Sequence, residues 1–410
     1  MYYNLNPNAY YHYFGNQLLV MIGNKTYLLN ESQTLIFEYI TSPKYIESLF
    51  ESVLISKNST NNIRILIDTF IKKNLLIKEC NQRKLHIFGQ KGAFFPKKII
   101  IELTDKCHLS CEHCFKKCSP LKSNRINHID LLKFLEKMKG KVNEIQLTGG
   151  EPLLHPYFSL ISDFINENFD FTTITTTAAF VNDKNIETLA NFDYIQISLY
   201  DSVEQNHNSI TKHNNSFSLT INGIQRLKEK NIYIGISNIV RNSIIENLHN
   251  YLDFLVSLKV DEVGFGILSR LGRAEDIGLD WIVSKNDIIK FENILPSIAE
   301  LYKGKLIVKT WEEKCGTAFF QSISDTFLGC GAGLLEWNIN ESGIIKPCSF
   351  FSDKHFSDIN IYNFEIFFYE NQAYSINQKI KDWECELNSV GLSTKHICET
   401  IYKTIRRPYE

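Results

Sequence analysis

The sequence predicts an α/β fold, a partial (β/α)6 barrel of the TIM type, with a small winged-helix domain before it and a cysteine-rich extension behind it. Three observations lead to this prediction. From Lys97 onward, short apolar runs alternate with helical stretches. Before Lys97, two strand-like runs precede a series of helical stretches. After Leu271 the alternation loosens into helical connectors, and the chain from Lys305 onward carries the last five cysteines. The expected domains are therefore residues 1–95, 96–304 and 305–410.

The first 95 residues predict a β-hairpin followed by three helices. Gln17–Ile22 and Lys25–Leu29 are apolar, β-branched runs joined at Gly23-Asn24, a pair that closes hairpins. Helix-capping residues follow the second run. The helices are expected after the Asn30–Ser32 cap, over Tyr45–Leu54 and over Asn61–Leu75, with a last strand at Leu76–Glu79.

Six strand and helix units follow. Strands that alternate with helices need right-handed crossovers and form a parallel sheet, which here curls into a partial barrel. In such folds the chemistry lies at the carboxyl ends of the strands. The strands are predicted at Ile99–Leu103, Glu144–Leu147, Thr172–Thr175, Tyr194–Leu199, Tyr233–Asn238 and Glu262–Leu268. The helices are predicted at Ile129–Met138, Tyr157–Asn168, Ser218–Lys230 and Ile244–Leu258.

Composition limits the partners and the location. Of 410 residues, 44% are hydrophobic and 22% are charged, enough for one large domain or two to three ordinary ones. The net charge of -2 gives no general attraction to nucleic acid or anionic membranes. No apolar stretch of about 18 residues and no secretory signal occur, so we expect a cytoplasmic protein without a membrane span. In a reducing compartment, its ten cysteines indicate metal ligands, reactive thiols or buried side chains rather than disulfides.

The first cysteine group follows the first barrel strand. Cys107, Cys111 and Cys114 have C-x3-C-x2-C spacing, which lets three thiolates hold a cubane of four irons and leaves one iron open. An open iron can bind a small chelating cofactor. The alternatives are three buried cysteines or a zinc site that uses His108 or His113.

This loop resembles the signature of radical S-adenosylmethionine (radical SAM) enzymes, and a second motif resembles the same family. Gly149-Gly150-Glu151-Pro152 follows the second strand, as the GGEP element does in that family. The resemblance implies a 4Fe-4S cluster on the three cysteines and S-adenosylmethionine on the GGEP backbone and Glu151. The glycines would let the backbone approach the ligand closely.

The same resemblance implies further cofactor-binding residues. Thr211 stands where many relatives have an arginine, so the ligand of the S-adenosylmethionine carboxylate is open between Lys212, Arg270 and Arg273. The remaining candidates are Ser198 on the fourth strand, Asn238 on the fifth strand, and His113 in the cysteine loop.

The second cysteine group resembles the SPASM/twitch extension of radical SAM enzymes that modify peptides. Cys330 and Cys348 flank a predicted hairpin with its turn at residues 340–343. The resemblance implies at least one auxiliary iron-sulfur cluster, of the 4Fe-4S type, with Cys385 as third ligand. Cys315 and Cys398 compete for the last position. The alternatives are buried cysteines or zinc, and Cys80 and Cys118 fall outside both groups.

Residues 1–95 resemble the winged-helix element that recognises leader peptides in peptide-maturation enzymes. Such a domain adds the leader as an edge strand. The alternative is a DNA-binding winged helix, but the neutral chain makes nucleic acid the less favoured partner. The basic residues that this alternative would use are Lys72, Lys73, Lys78, Arg83 and Lys84.

Together the three regions resemble a radical SAM peptide maturase. The resemblance implies a precursor peptide with a leader sequence as substrate, a reductase such as flavodoxin or ferredoxin as electron donor, and thioether bonds of the sactipeptide type as product. The alternatives are epimerisation, a carbon-carbon crosslink, protein modification like that of anaerobic sulfatase-maturing enzymes, and an iron-sulfur redox-sensing regulator.

Overall fold

The computed structural model describes residues 2–23, 25–40, 44–45, 60–77, 85–268, 271–309, 332–333, 335–351, 353 and 356–364. Within these ranges the chain forms sheets of three, four and nine strands. None of the helices in this part of the chain is both long and apolar enough to cross a bilayer.

The amino-terminal region contains the predicted hairpin, β3 (Gln17–Ile22) with β4 (Lys25–Leu29), and two strands that were not predicted, β1 (Tyr2–Leu5) and β2 (Tyr10–Gly15). The four-stranded sheet has the order β4-β3-β2-β7, where β7 (Ala93–Phe94) comes from the segment that leads to the barrel. The three-stranded sheet has the order β5-β1-β6, with β5 at Lys44–Tyr45 and β6 at Leu76–Ile77.

Two helices complete this region. Helix α1 (Glu31–Tyr39) begins at Asn30, whose side chain and that of Gln33 form a capping box, which confirms the predicted cap. Helix α2 (Thr60–Lys72) confirms the third predicted helix. Of the second predicted helix, Tyr45 lies in β5 and residues 46–54 are outside the described residues.

The predicted barrel is confirmed. Neighbouring strands of the nine-stranded sheet are parallel from β8 through β14. Each of the six predicted strands is present with its ends shifted by at most a few residues. The six strands are β8 (Lys98–Glu102), β9 (Glu144–Thr148), β10 (Phe171–Thr176), β11 (Tyr194–Ser198), β12 (Ile234–Ile239) and β13 (Glu262–Gly266), and a further strand that was not predicted, β14 (Ile307–Val308), pairs with β13.

Helices cover the outside of this sheet and bury its apolar residues in one main core. The four predicted helices are present, although the last is divided at Asn247 into α8 and α9. Helices α5 and α6 were not predicted. The helices are α3 (His128–Met138), α4 (Phe158–Asn168), α5 (Ile186–Ala190), α6 (Glu204–Thr211), α7 (Ser216–Glu229), α8 (Asn242–Glu246), α9 (Leu248–Ser257) and α10 (Lys285–Leu301).

The predicted carboxy-terminal hairpin is formed by β15 (Glu336–Ile339) and β16 (Ile345–Lys346), which pair antiparallel. Its turn contains Gly343 with a φ of 79°, a conformation that suits glycine. Strand β15 also pairs in parallel with β8, the first barrel strand. The hairpin therefore extends the barrel's own sheet, a feature that the sequence pattern did not predict.

Candidate functional site

The carboxyl ends of the barrel strands surround a cavity of about 280 Å³. Cys107, Cys111 and Cys114 lie together on its wall, as the spacing predicted. The rest of the wall comes from the strand ends, from the loops that follow them and from one residue of the carboxy-terminal region. The other lining residues are Leu109, His113, Phe115, Cys118, Thr148, Gly149, Gly150, Thr175, Thr176, Thr177, Ser198, Tyr200, Ser237, Ile239, Ile267, Leu268, Arg273 and Phe350.

The cysteine loop is fixed to the barrel by main-chain hydrogen bonds. Ser110 N–H donates to the Thr211 carbonyl at 3.1 Å, and Glu112 N–H donates to the Ile210 carbonyl at 3.0 Å, so the loop is attached to the end of α6. Leu109 N–H donates to the Cys107 sulfur at 3.5 Å. These bonds fix the position of the cysteine loop at the end of α6.

The second motif is bonded directly to the cysteine loop. Gly150 N–H donates to the Thr104 carbonyl at 2.6 Å, and Glu151 N–H donates to the Lys106 carbonyl at 2.9 Å. A Cβ added at Gly149, which has a φ of 136°, would lie 2.5 Å from the Thr104 oxygen, and one added at Gly150 would lie 2.2 Å from the Lys106 oxygen. The glycines are therefore required for contact between the two loops, a reason that the sequence did not reveal.

Glu151 is fully buried and is not among the residues that line the cavity. It accepts hydrogen bonds from the hydroxyls of Thr176 and Thr177, both at 2.6 Å, from Thr177 N–H at 2.9 Å and from Leu153 N–H at 3.2 Å. Burial raises the pKa of Glu151, and these hydrogen bonds oppose that shift. The structure thus gives Glu151 a role in holding the loop, and buried Pro152 begins the short 3-10 turn behind it.

Strands β11 and β12 contribute hydroxyl groups to the cavity. Ser198 lines the cavity, as does Tyr200 two residues later. On β12, Ser237 and Ile239 face the cavity, whereas Asn238 between them is fully buried and binds the Tyr200 carbonyl at 3.2 Å. The alternation of side chains along a strand places Asn238 on the opposite face, which corrects the expectation that it faces the cofactor.

The three candidate cations have different positions. Lys212 is half-exposed and pairs with Glu112 at 2.9 Å, and it is not among the residues that line the cavity. Arg270 lies outside the described residues. Arg273 lines the cavity, but its side chain donates to the carbonyls of Cys111 and Cys118, both at 2.7 Å. Arg273 therefore holds the cysteine loop.

The electrostatics of the thiols fit a metal cluster. Burial raises the pKa of Cys107 to about 12, with a further contribution from Glu151, and burial also raises the pKa of Cys111. A hydrogen bond from Cys118 lowers the pKa of Cys114 to about 6. Metals bind thiolates, so the positive charge of bound iron would oppose the cost of ionising these buried sulfurs. Three thiols on one cavity wall match the ligand set of a 4Fe-4S cluster with one open iron.

The two histidines of the loop differ in position. His113 faces the cavity with its ring 4.4 Å from that of Tyr200 and 4.9 Å from that of Trp281, and its Nδ1 has no hydrogen-bond partner. Burial lowers the pKa of His113 to about 3, so the ring is neutral. His108 packs against Phe180 at 4.8 Å. In the described ranges, no three His, Cys, Asp or Glu side chains are arranged to hold a single metal ion.

Only one cysteine of the second group falls within the described residues. Cys348 is buried directly after β16. The structure does not test the auxiliary ligand set, because Cys315, Cys330, Cys385 and Cys398 lie outside the described residues.

Sequence reasoning missed several residues of the site. It gave no role to Tyr200, it considered Arg273 only as a carboxylate ligand, and it placed Cys118 outside the first cysteine group. The structure puts Cys118 in a buried cluster with Cys107, Cys111 and Cys114. Its short distance from Cys114 along the chain was the available signal.

Comparisons with known proteins show which proteins this chain is similar to. Residues 101–255 match the Radical SAM superfamily. The antilisterial bacteriocin subtilosin biosynthesis protein AlbA of Bacillus subtilis (strain 168) is 23% identical over 300 residues, which are 72% of this chain and 64% of AlbA. The sporulation killing factor maturation protein SkfB of the same organism is 20% identical over 266 residues, 64% of this chain and 63% of SkfB. The chain thus spans just under two thirds of each relative.

Solved structures share the fold. Streptococcus suis SuiB bound to S-adenosylmethionine is 18% identical with a TM-score of 0.59, and the alignment covers 85% of this chain and 83% of SuiB. SuiB bound to its precursor peptide SuiA is 16% identical with a TM-score of 0.59 and the same coverage. At these identities the likeness is one of fold.

Proposed function

Because residues 101–255 form a domain of the Radical SAM superfamily, we propose that this chain is an enzyme that modifies a ribosomally synthesised precursor peptide. The proposed reaction forms thioether crosslinks from a cysteine sulfur to an α-carbon, as in sactipeptides. The observation that carries the proposal is the bonding of the cysteine loop to the Gly149–Glu151 loop beside one cavity.

Cys107, Cys111 and Cys114 would hold a 4Fe-4S cluster, and the strand ends opposite them would bind S-adenosylmethionine. When bound and reduced by a flavodoxin or ferredoxin, the cluster would supply the electron that cleaves S-adenosylmethionine and so the radical that removes a hydrogen atom from the peptide.

The chain itself supplies positioning and exclusion of water. The backbone of the Gly149–Gly150 turn and the hydroxyls of Thr176, Ser198 and Ser237 are polar groups that a bound S-adenosylmethionine can contact. Apolar residues complete the wall and would keep water away from a reactive radical. They are Leu109, Ile239, Ile267, Leu268 and Phe350.

We assign the second cysteine group to an auxiliary iron-sulfur cluster on Cys330, Cys348 and Cys385, with Cys315 or Cys398 as a further ligand. The support is that Cys348 is buried at the end of a hairpin that belongs to the barrel's own sheet. A cluster at that point would be attached rigidly to the first barrel strand.

A peptide substrate is supported by the comparisons and by the amino-terminal sheet. The relatives are described as a bacteriocin biosynthesis protein and a maturation protein, and SuiB was solved with its precursor peptide. Among the described strands, β4 (Lys25–Leu29) pairs with β3 alone, so one of its edges is available to a leader peptide that adds as a strand.

The test is co-expression with a candidate precursor followed by mass spectrometry of the peptide. We expect a loss of two hydrogens for each thioether, with fragment ions that locate each bond at a cysteine. An unchanged mass with an inverted α-carbon would establish epimerisation and contradict the thioether proposal.

The matched control is the triple variant Cys107→Ala, Cys111→Ala, Cys114→Ala. Purified and reconstituted anaerobically, it should retain only auxiliary iron and should release no 5'-deoxyadenosine from S-adenosylmethionine. Release at the wild-type rate would show that the first cysteine loop is not the site of cleavage.

A further inference from the structure

Two neighbouring segments, residues 103–106 and 117–125, carry an exposed basic surface beside the cysteine loop. Isolated β-bridges join Lys106 to Ser119 and Thr104 to Arg125, so the two segments form one surface. Four cations on this surface have exposed side chains and are together called the basic patch. They are Lys106, Lys117, Lys122 and Arg125.

The positive charge of the basic patch is not neutralised by neighbouring carboxylates. Asp105 is 4% exposed and accepts hydrogen bonds from the main-chain N–H and the side-chain amide of Asn124, at 2.9 and 2.7 Å. Glu112 pairs with Lys212 instead. Within the residues that the structure describes, no cation of the basic patch forms an ion pair. The patch is therefore strongly positive on a chain whose net charge is -2.

The basic patch is one residue away from the cavity wall. Exposed Lys106 precedes Cys107, and exposed Lys117 precedes Cys118, and both cysteines line the cavity. Neighbouring Cα atoms are about 3.8 Å apart. The proposed cluster would therefore lie close to the surface at the basic patch.

An apolar side chain accompanies these cations. Leu121, next to Lys122, is 96% exposed. A single exposed leucine is ordinary on a protein surface, but an apolar contact surrounded by charged groups is how protein interfaces are built. Weak encounters between electron-transfer proteins bury less than about 1,200 Å² in total, so a small surface is sufficient for them.

We propose that the basic patch is the docking surface of the electron donor, a small acidic protein that carries a one-electron donor group near its own surface. Carboxylates around that group would pair with the cations of the patch. One electron then passes from the fully reduced donor group to the cluster, whose charge falls from 2+ to 1+, and no proton needs to move. Charge complementarity of this kind mainly accelerates the encounter.

The position of the basic patch favours an electron donor over an acidic segment of the substrate peptide. None of the four cations lines the cavity, whereas the cysteines next to them do. A peptide on the patch would be separated from the cavity by the cysteine loop, but an electron can cross that loop. The inference rests on the cluster site of the proposed function and is independent of the bond formed in the peptide.

The first test is carbodiimide crosslinking of the reconstituted full-length protein with a bacterial flavodoxin, followed by mass spectrometry. Carbodiimide joins lysine amines to carboxylates that they contact. We expect crosslinks at Lys106, Lys117 and Lys122. Lys259 and Lys305 are exposed before β13 and β14, at the other end of the barrel, and should remain free. Crosslinks confined to lysines outside the basic patch would overturn the inference.

The second test measures reduction of the clusters and release of 5'-deoxyadenosine under anaerobic conditions, with fully reduced flavodoxin or with dithionite. The variant is Lys122→Glu with Arg125→Glu, two exposed positions of the basic patch. The matched control is Lys259→Glu with Lys305→Glu, which changes the net charge equally. At low ionic strength we expect the flavodoxin-driven rates of the first pair to fall about tenfold or more.

The control pair should react with flavodoxin like the wild type, and dithionite should drive all three proteins equally. The difference should shrink in 1 M salt, where the screening length is about 3 Å. Equal flavodoxin-driven rates in the patch variant and the wild type would overturn the inference. Equal slowing in the control pair would do the same, because net charge would then be the cause.

Two further outcomes are decisive. Slow reaction with both reductants, in Lys122→Glu with Arg125→Glu and also in Lys122→Gln with Arg125→Gln, would mean that the substitutions disturb the cluster and would overturn the inference. So would normal reduction by flavodoxin with loss of peptide modification, which would assign the basic patch to the peptide. A wild-type protein that releases no 5'-deoxyadenosine even with dithionite would refute the cluster site itself.

Discussion

At the scale of single residues, the loop that contains Gly149, Gly150 and Glu151 is held in place by hydrogen bonds to the buried Glu151 carboxylate. Glu151 is fully buried, and its carboxylate accepts hydrogen bonds from Thr176, Thr177 and Leu153. A buried carboxylate is stable only when its acceptor sites are filled. The position of the Gly149–Gly150 turn therefore depends on the hydroxyls that bind Glu151.

Thr177 provides a test of this dependence. Thr177→Val keeps the shape but removes one hydroxyl donor from Glu151, so we expect a loss of about 1–2 kcal/mol in the free energy of unfolding and weaker binding of S-adenosylmethionine. Thr177→Ser keeps the hydroxyl and should behave like the wild type. The measurements are chemical denaturation and calorimetric titration. Equal stability of both variants would show that the Thr177 hydroxyl does not support the loop.

His12 makes the stability of the amino-terminal sheet depend on pH. The ring is fully buried, with one nitrogen 2.8 Å from the Phe95 carbonyl and the other 2.8 Å from the Tyr10 hydroxyl. Burial lowers the pKa of His12 to about 4, from an ordinary value of 6.5. Between these two values the unfolded chain binds the extra proton, so stability is lost as the pH falls below 6.5.

His12→Gln lacks the imidazole that takes up this proton in the unfolded wild-type chain. We therefore expect the free energy of unfolding of the variant to change less steeply with pH, by about 1.4 kcal/mol per pH unit between pH 6 and pH 5. His86, which is exposed and near Gly140, provides the control variant His86→Gln. The measurement is urea unfolding of the metal-free protein at several pH values. Identical slopes for His12→Gln and wild type would contradict the expectation.

At the scale of elements, one lysine connects three of them. Lys116 in the cysteine loop forms ion pairs with Glu102 at the end of β8 and with Glu341 in the turn between β15 and β16. Burial alone would lower the pKa of Lys116, but the two carboxylates raise it well above its ordinary value. The lysine therefore stays charged and joins the cysteine loop to the carboxy-terminal hairpin.

Lys116→Met should separate these elements, because it leaves Glu102 and Glu341 close together without a cation. Removing one partner of a buried ion pair costs about 3–5 kcal/mol, and we expect the hairpin at residues 336–351 to become sensitive to limited proteolysis. Lys122→Met, at an exposed position of the same loop, is the control. Adding Glu102→Gln and Glu341→Gln to Lys116→Met should restore part of the stability; a failure to do so would exclude charge repulsion as the cause.

At the scale of the whole molecule, the amino-terminal sheet, the barrel and the carboxy-terminal segment meet at one apolar contact. Phe14 of β2 packs with Leu28, Phe94 and Leu335, and Lys98 N–H donates to the Leu335 carbonyl. Phe95, next to this contact, is buried in the barrel core. The segment before the barrel therefore belongs to both the amino-terminal sheet and the barrel.

This contact decides where a truncation should end. Removal of residues 2–84 keeps Phe95 in the barrel core, so we expect cleavage of S-adenosylmethionine to persist while modification of the full-length precursor falls at least tenfold, because the leader site is lost. Removal of residues 2–95 should also destabilise the barrel. The measurements are 5'-deoxyadenosine release and peptide mass spectrometry. Modification at the wild-type rate by the first truncation would exclude leader recognition by this region.

Much of this organisation could be predicted from local patterns. The six barrel strands are continuous apolar runs between helical stretches, and the two cofactor motifs are short segments at the ends of successive strands. Strands β1 and β2 were missed because Tyr and Asn residues obscure their alternation. The pairing of β15 with β8 could not be predicted, because it joins residues that are more than two hundred positions apart.

The sequence by itself determined the barrel, the grouping of Cys107, Cys111 and Cys114 and the place of the second motif, since each depends on short-range spacing. Only the tertiary structure decided what the other side chains do. It turned Asn238 away from the cavity, placed Arg273 on the carbonyls of the cysteine loop and put Cys118 in the buried cluster of Cys107, Cys111 and Cys114. The physical reason is that spacing along the chain limits which residues can meet, whereas side-chain direction and long-range pairing arise only when the sheet closes and packs.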